Sequence, residues 1–257
     1  MSTWLTTVFL CVMWTSIKTD TASGVCPEGH YGLDCSYTCH CTSGCDSVTG
    51  CSGGCTKGWS GPKCTIENVA LNKTAYQSGY HPTVVHPPSY AVDGNTDQGS
   101  YGSLCIVTPS LEPYTWWEVD LGRPYYIHQL AVHFRTDYVA PRNDVHVFSS
   151  LKMNQTNTSH LCGVTTLNSS DVTYITCNDT AQYITLFQGT NNDDVDVEHY
   201  NPGKRMDICE VEVFICDAGT FGDNCTEFCH CQGQPCNYTT GECVGGCKQN
   251  WTGTQCD

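Results

Sequence analysis

Arginine is scarce in this chain, and two of its four arginines stand in the pattern Arg135-x-Asp137-x4-Arg142. A guanidinium carries several N–H donors in a rigid fork and no acceptor, which suits it to grip neighbouring hydroxyls on a sugar ring. Asp137 has the reach to orient one fork through a charge-assisted pair. The bland reading of the same residues is an exposed loop with solvated charges. Patterns for catalysis are missing: there is no G-x-S-x-G, no H-E-x-x-H and no glycine-rich loop leading into a helix. The pair Asp193-Asp194 would suit a glycosidase, but it sits in N-N-D-D-V-D-V-E, which reads as a solvated loop. The chain is expected to bind rather than catalyse, so no enzyme activity is assigned. A formal net charge of −15 speaks against nucleic acid or an anionic membrane as partner.

The elements that must position Arg135 are short strands. Leu130, Val132 and Phe134 alternate with Ala131, His133 and Arg135 just ahead of the motif. Trp117, Val119 and Leu121 share one face while Glu118 and Asp120 share the other. Further alternating runs cover Asp144–Phe148, Val172–Cys177, Gln182–Phe187 and Asp207–Ile215, separated by Gly, Pro, Asn and Asp. No helical periodicity rivals them, so residues 66–215 are expected to form an all-β sandwich or jelly roll.

Cysteines frame that region. Cys26, Cys35, Cys39, Cys41, Cys45, Cys51, Cys55 and Cys64 form one block of eight; Cys216, Cys225, Cys229, Cys231, Cys236, Cys243, Cys247 and Cys256 repeat it with nearly the same spacing. Each block repeats an aromatic and a Gly before a closing Cys: Tyr31-Gly32, Phe221-Gly222, Trp59 with Gly61, Trp251 with Gly253. Gly allows the tight turns, and the ring is expected to cover a disulfide. Modules of this size need such staples, because their cores are too small to fold unaided. Zinc on Cys39-x-Cys41 or Cys229-x-Cys231 is the competing reading, disfavoured by paired cysteine counts. The density of cysteine calls for an oxidising compartment. A short apolar run, Trp4–Trp14, precedes Thr21, Ala22 and Ser23, which reads as a signal peptide over residues 1–23 that also removes Cys11. That run is too short for a membrane span. The sequons at Asn72, Asn154, Asn157, Asn168, Asn178, Asn224, Asn237 and Asn250 fit a secreted, extracellular glycoprotein.

Two resemblances sharpen this reading. The cysteine blocks, 26–64 and 216–256, resemble EGF-like modules of the laminin and scavenger-receptor type, with spacer or protein-contact roles toward extracellular partners. That resemblance implies pairing of first with third, second with fourth, fifth with sixth and seventh with eighth cysteine. The segments N-V-A-L-N-K-T-A-Y-Q-S (68–78), A-V-D-G-N (91–95), W-W-E-V-D-L-G (116–122) and C-E-V-E-V (209–213) resemble, in order, an F-type lectin or fucolectin, a discoidin-like jelly roll. The Arg135, Asp137 and Arg142 spacing matches the fucose-binding motif of that family. Val107 stands where the family has a sugar-binding His, and Tyr138-Val139 replace two adjacent cysteines, leaving an apolar face for a sugar methyl. His133 is a candidate substitute for the missing imidazole, with a surface or sheet-face His as its plainer reading. His81 and His86 lie in a Pro-rich loop that the family places near the site.

The lectin resemblance further implies disulfides Cys105–Cys209 and Cys162–Cys177, and a calcium ion held by Tyr90, Asp93, Asn95, Ser103, Cys209 and Glu210. Oxygen donors from two distant segments, including two carboxylates, suit a hard cation. The ion is read as structural, and D-G-N as a mere turn is the alternative. Two functions follow as expectations: a secreted, calcium-stabilised lectin for fucose or a related terminal sugar in innate recognition, or a degenerate lectin domain serving adhesion or the extracellular matrix.

Overall fold

The computed structural model describes residues 25–81, 85–99, 104–109, 112–156, 158–190, 204–233 and 235–257. The leader through Ser23, Ser103, Asn157 and the pair Asp193-Asp194 lie outside the described residues. What is described is all-β apart from two 3₁₀ turns, Pro88–Val92 and Ala140–Arg142.

Eight strands build the central domain: β1 (Ile66–Asn68), β2 (Thr74–Gln77), β3 (Ile106–Val107), β4 (Thr115–Phe134), β5 (His146–Ser150), β6 (His160–Val164), β7 (Val172–Gln188) and β8 (Asp207–Cys216). Their path of hydrogen-bonded neighbours runs β6-β5-β7-β4-β8-β1, with β2 on β4 and β3 on β8. The two expected runs at 117–121 and 130–134 are one strand, as are those at 172–177 and 182–187. β4 bends where Gly122, at φ 87°, leads into exposed Arg123 and Pro124. β7 bends opposite, with register shifts between Thr176 and Asp179 and between Ala181 and Tyr183. Each strand thereby serves both layers: the first half of β4 lies between β2 and β7, and the second half between β7 and β8.

Alternation places Trp117, Val119, Leu121, Leu130, Val132 and Phe134 on the inside, where they pack with Ile184, Leu186, Ile208, Val211 and Val213. Burial of such side chains, worth about 1.5–3 kcal/mol each, is the main force closing the two layers. Glu118 lies on the face opposite Trp117 and is nonetheless shielded from solvent. It is fully buried, accepting from the Thr185 hydroxyl at 2.8 Å and the Asn154 amide at 3.1 Å, and burial pushes its carboxyl up.

Disulfides Cys105–Cys209 and Cys162–Cys177 form as the resemblance implies. Inside the modules the implied pairing is overturned except for the seventh with the eighth cysteine. The first cysteine pairs with the second (Cys26–Cys35, Cys216–Cys225), the third with the fifth (Cys39–Cys45, Cys229–Cys236) and the fourth with the sixth (Cys41–Cys51, Cys231–Cys243). The reason is local. Every Cys-x8-Cys segment closes on itself, with the second cysteine in the left-handed region (Cys35, Cys64 and Cys256 at φ 55°, Cys225 at φ 50°). A hydrogen bond donated by the Cys35 amide to the Gly32 carbonyl, repeated from Cys64 to Gly61 and Cys225 to Gly222, turns each back onto its partner. These sulfurs are consumed in pairs, so the zinc reading of the C-x-C motifs falls.

The rings also differ from expectation. Phe221 does pack on Cys229, Cys231 and Cys236. Trp59 and Trp251 instead stack flat on His40 and His230, at 3.4 and 3.3 Å between centroids. The two modules touch each other. Tyr37 of the first, 6% exposed, packs on Phe228 of the second at 4.7 Å and bonds His230 Nε2 at 2.9 Å. The first module also adds the strand Trp59–Ser60 to β1.

Candidate functional site

β4 ends at Phe134, so Arg135 emerges at the rim of the sheet. Its fork is held rigidly. Nε and one terminal nitrogen donate to the two Asp137 oxygens at 2.7 and 2.9 Å, and the other donates to Asp207 Oδ2 at 3.1 Å. The Asp137 bonds, followed by the nearby carboxylate charges, raise the guanidinium further above its ordinary value. Three of about five N–H groups are thus committed, and one on each terminal nitrogen remains for a ligand. The side chain is 17% exposed, enough for that edge to meet solvent.

Asp207 is a residue that the sequence reading missed. It begins β8 directly opposite Val107 on β3, and is 1% exposed. Arg205 pairs with it, Nε 2.9 Å from Oδ1, and lies 4.5 Å over the Tyr138 ring. Burial pushes the Asp207 carboxyl up, and the Arg205 and Arg135 charges oppose that push. The signal available in the sequence was the scarcity of arginine itself, since Arg205-Met206-Asp207 holds one of the remaining two. His81 reaches the same corner: its amide bonds the Val107 carbonyl at 3.2 Å, and burial followed by the Arg205 charge lowers its imidazole. Tyr138 and His81 therefore lie beside the arginine pair.

Arg142 does not join them. It is 4% exposed and its fork points inward, to the Ser169 carbonyl at 3.0 Å, the Arg135 carbonyl at 2.9 Å and Asp171 at 2.7 Å. It braces the Arg135 backbone and offers no exposed edge to a sugar. The other candidate imidazoles are also engaged elsewhere. His133 bonds Glu212 at 2.9 Å on the sheet face, and His86 bonds the Cys105 carbonyl at 2.8 Å.

A second cluster joins the end of the Pro88–Val92 turn to β8. Asp93 follows the turn, Gly94 takes φ 75°, and the Gly94 amide donates to Glu210 Oε1 at 2.9 Å. The Asn95 amide donates to Asp93 Oδ1 at 2.8 Å, while Lys57 of the first module bonds the Asp93 carbonyl at 2.8 Å. Glu210 is wholly buried, and its Oε2 has no hydrogen-bond partner. Burial, with the Asp93 charge, pushes its carboxyl up to about 8. A buried carboxylate with an empty lone-pair side, facing a second carboxylate, is the donor set a hard cation fits. Tyr90 lies partly buried on the core beside it, and the Cys105–Cys209 disulfide ties Cys209 in place.

Residues 90–186 match the family model described as NedA-like, galactose-binding domain. Fucolectin-5 of Anguilla japonica is 28% identical over 157 residues, covering 58% of this chain and 76% of that protein. The central domain is fucolectin-like. A shorter match, 42% identical over 61 residues, is to dendrite extension defective protein 1 of Caenorhabditis elegans; it covers 23% of this chain and 5% of that protein. Among solved structures, a fucolectin from striped bass (Morone saxatilis) serum is 23% identical with a TM-score of 0.48, covering 58% of this chain and 48% of that one. The lectin domain of lectinolysin, in complex with Lewis B antigen, is 23% identical with a TM-score of 0.47, covering 58% and 96%. In this fucolectin-like domain the arginine cluster and the carboxylate cluster each take one residue of β8, Asp207 and Glu210. No helix among the described residues is long and apolar enough to cross a membrane.

Proposed function

We propose that this chain is a secreted, non-catalytic lectin that binds a neutral terminal sugar, fucose or a relative, for innate recognition. Arg135 carries the reading. Its outer N–H edge is held at fixed height by Asp137 and Asp207, so a sugar meets donors that have already lost their rotamer freedom. Arg205 and Tyr138 flank it, and His81 is tied to Val107 through its backbone amide. Two arginines balanced by two carboxylates leave the site near neutrality, which favours an uncharged ligand over an acidic sugar. Calcium, on Asp93 and Glu210 with the carbonyls of Tyr90, Asn95 and Cys209, is its structural ion; Ser103 is the remaining donor. The EGF-like modules contact extracellular proteins.

The test is a glycan array probed with calcium, comparing wild type with Arg135→Ala. The expected result is retention of fucosylated glycans by wild type and loss of that fucosylated set in the variant, with stability lowered by no more than about 2 kcal/mol for the lost ion pairs. Wild type that retains no glycan, folded and calcium-loaded, overturns the lectin reading. The inward turn of Arg142 and the Val at position 107 favour the second reading, an adhesion or matrix module on a lectin scaffold. Recovery of fucose binding only in Val107→His supports that one.

A further inference from the structure

The bend of β4 meets both cysteine-rich modules in an open crevice of about 680 Å³. Ten residues of strand separate it from Arg135, roughly 30 Å. Its size falls within the range of about 300–1,000 Å³ common to small-ligand pockets, and junctions between domains are where such pockets gather. Glu67, Arg123, Tyr125, Tyr126, Asp217 and Tyr238 give it its chemistry. Tyr126 and Tyr238 stack at 5.6 Å and 10°, one from the sheet and one from the second module. Arg123 lies 4.4 Å over the Tyr125 ring.

Most of these polar groups are uncommitted. Asp217 is satisfied, its oxygens taking the His40 ring at 3.1 Å and the Ala218 amide at 2.8 Å. The Glu67 carboxyl, the Arg123 guanidinium and the three phenols make no side-chain hydrogen bond among the described residues. The contrast with the Arg135 cluster, where most donors are already engaged, is plain. Burial pushes the Tyr238 phenol up while the Arg123 charge opposes it, so these groups share one electrostatic environment.

We propose that this crevice is a second saccharide site, taking one or two neutral sugar rings. An anionic ligand meets Glu67 and Asp217; a cationic one meets Arg123 and Lys248. A ring of hydroxyls pairs with both signs at once, accepting from the guanidinium and donating to the carboxylate. The tyrosine faces take the apolar C–H side of the ring. This site does not rest on the Arg135 reading. The sugar has two possible sources: a glycan on another molecule, or the chain's own glycan on Asn237, which immediately precedes Tyr238. The exposed Asn237 carboxamide oxygen accepts from the Thr239 and Thr240 amides, both at 2.9 Å, which fixes its orientation next to the lining residue Tyr238.

The test uses the full secreted chain. An array of neutral glycans is probed with Arg135→Ala/Asn237→Gln, which removes the rim site and the attached glycan together. Retention by this variant, weakened about tenfold or more by adding Glu67→Gln or Arg123→Ala, identifies an outside glycan as occupant. For the attached glycan, amide hydrogen exchange at Arg123, Tyr125 and Tyr126 is followed before and after enzymatic removal of the N-glycans. Faster exchange after removal in wild type, absent in Asn237→Gln and in Glu67→Gln, identifies the Asn237 glycan as occupant. No retention in the first experiment together with unchanged exchange in the second overturns the proposal. Equal binding by wild type and Arg135→Ala defeats the assignment of the sugar to Arg135 and leaves this site standing.

Discussion

Replacing Glu210 by Gln isolates what the buried carboxylate does. In metal-free protein, burial first, and the Asp93 charge with it, lifts this group from an ordinary 4.5 to about 8. The unfolded chain ionises it at pH 7, whereas the fold holds it neutral. At about 1.4 kcal/mol per unit, that difference opposes folding by roughly 3 kcal/mol at pH 7. Gln keeps an acceptor for the Gly94 amide and has no charge to bury. In a chain of this size a kilocalorie moves the melting temperature by about 2–4 °C. With chelator present, Glu210→Gln should therefore melt about 6–12 °C above wild type at pH 7. The sign follows from a raised folded value: its stabilising share is full below about 4.5 and lost as the pH rises through about 8. The gap between variant and wild type should thus close toward pH 4.5 and widen toward pH 8. Adding calcium should reverse the order, because a ligand bound only by the folded state stabilises it. Differential scanning calorimetry across that pH range, with and without calcium, measures all of this. If Glu210→Gln in chelator melts at or below wild type throughout, the carboxylate has a partner and the reasoning fails. If calcium leaves wild type unmoved, the cation assignment fails separately.

Three further outcomes are expected. Arg142→Ala should destabilise the central domain by about 1.5–3 kcal/mol in urea titrations, because the carbonyls of Arg135 and Ser169 lose a charged donor; an unchanged midpoint would show that the inward fork contributes nothing. Tyr37→Phe removes only the hydroxyl that bonds His230 and should cost about 1–3 kcal/mol while speeding proteolysis at the junction of the two modules, and equal cleavage rates would contradict that contact. Burial, opposed by the Cys256 carbonyl bond, holds the His230 imidazole below its ordinary value, so its share of stability is present at neutral pH and lost as the pH falls below about 6.5. Urea midpoints at pH 7.5 and 5.5 should differ less in His230→Gln than in wild type, and an identical difference refutes the assignment.

Much of this architecture is legible in the sequence by itself. Period-two alternation at Trp117, Val119 and Leu121 and at Leu130, Val132 and Phe134 determines which side chains face the core, because successive strand residues point to opposite faces. The spacing of Arg135 and Asp137 places a carboxylate two residues from a guanidinium, and that short-range pair forms whatever lies around it. The Cys-x8-Cys repeat was visible in all four copies, yet only its closure between seventh and eighth cysteine was expected; the first loop of each module also closes on itself, against the implied pairing of first with third. What was not legible depends on partners far along the chain. Asp207 is separated from Arg135 by 72 residues and becomes its counter-ion only because β8 runs beside β4. The same packing decides that Arg142 turns inward: the buried fork donates to the carbonyls of Ser169 and Arg135, so a residue that spacing alone marks for the ligand is taken by the fold. The crevice around Tyr126 and Tyr238 is the extreme case. It exists only where the bend of β4 and two stapled modules converge, and no local pattern encodes a surface made by three separate segments.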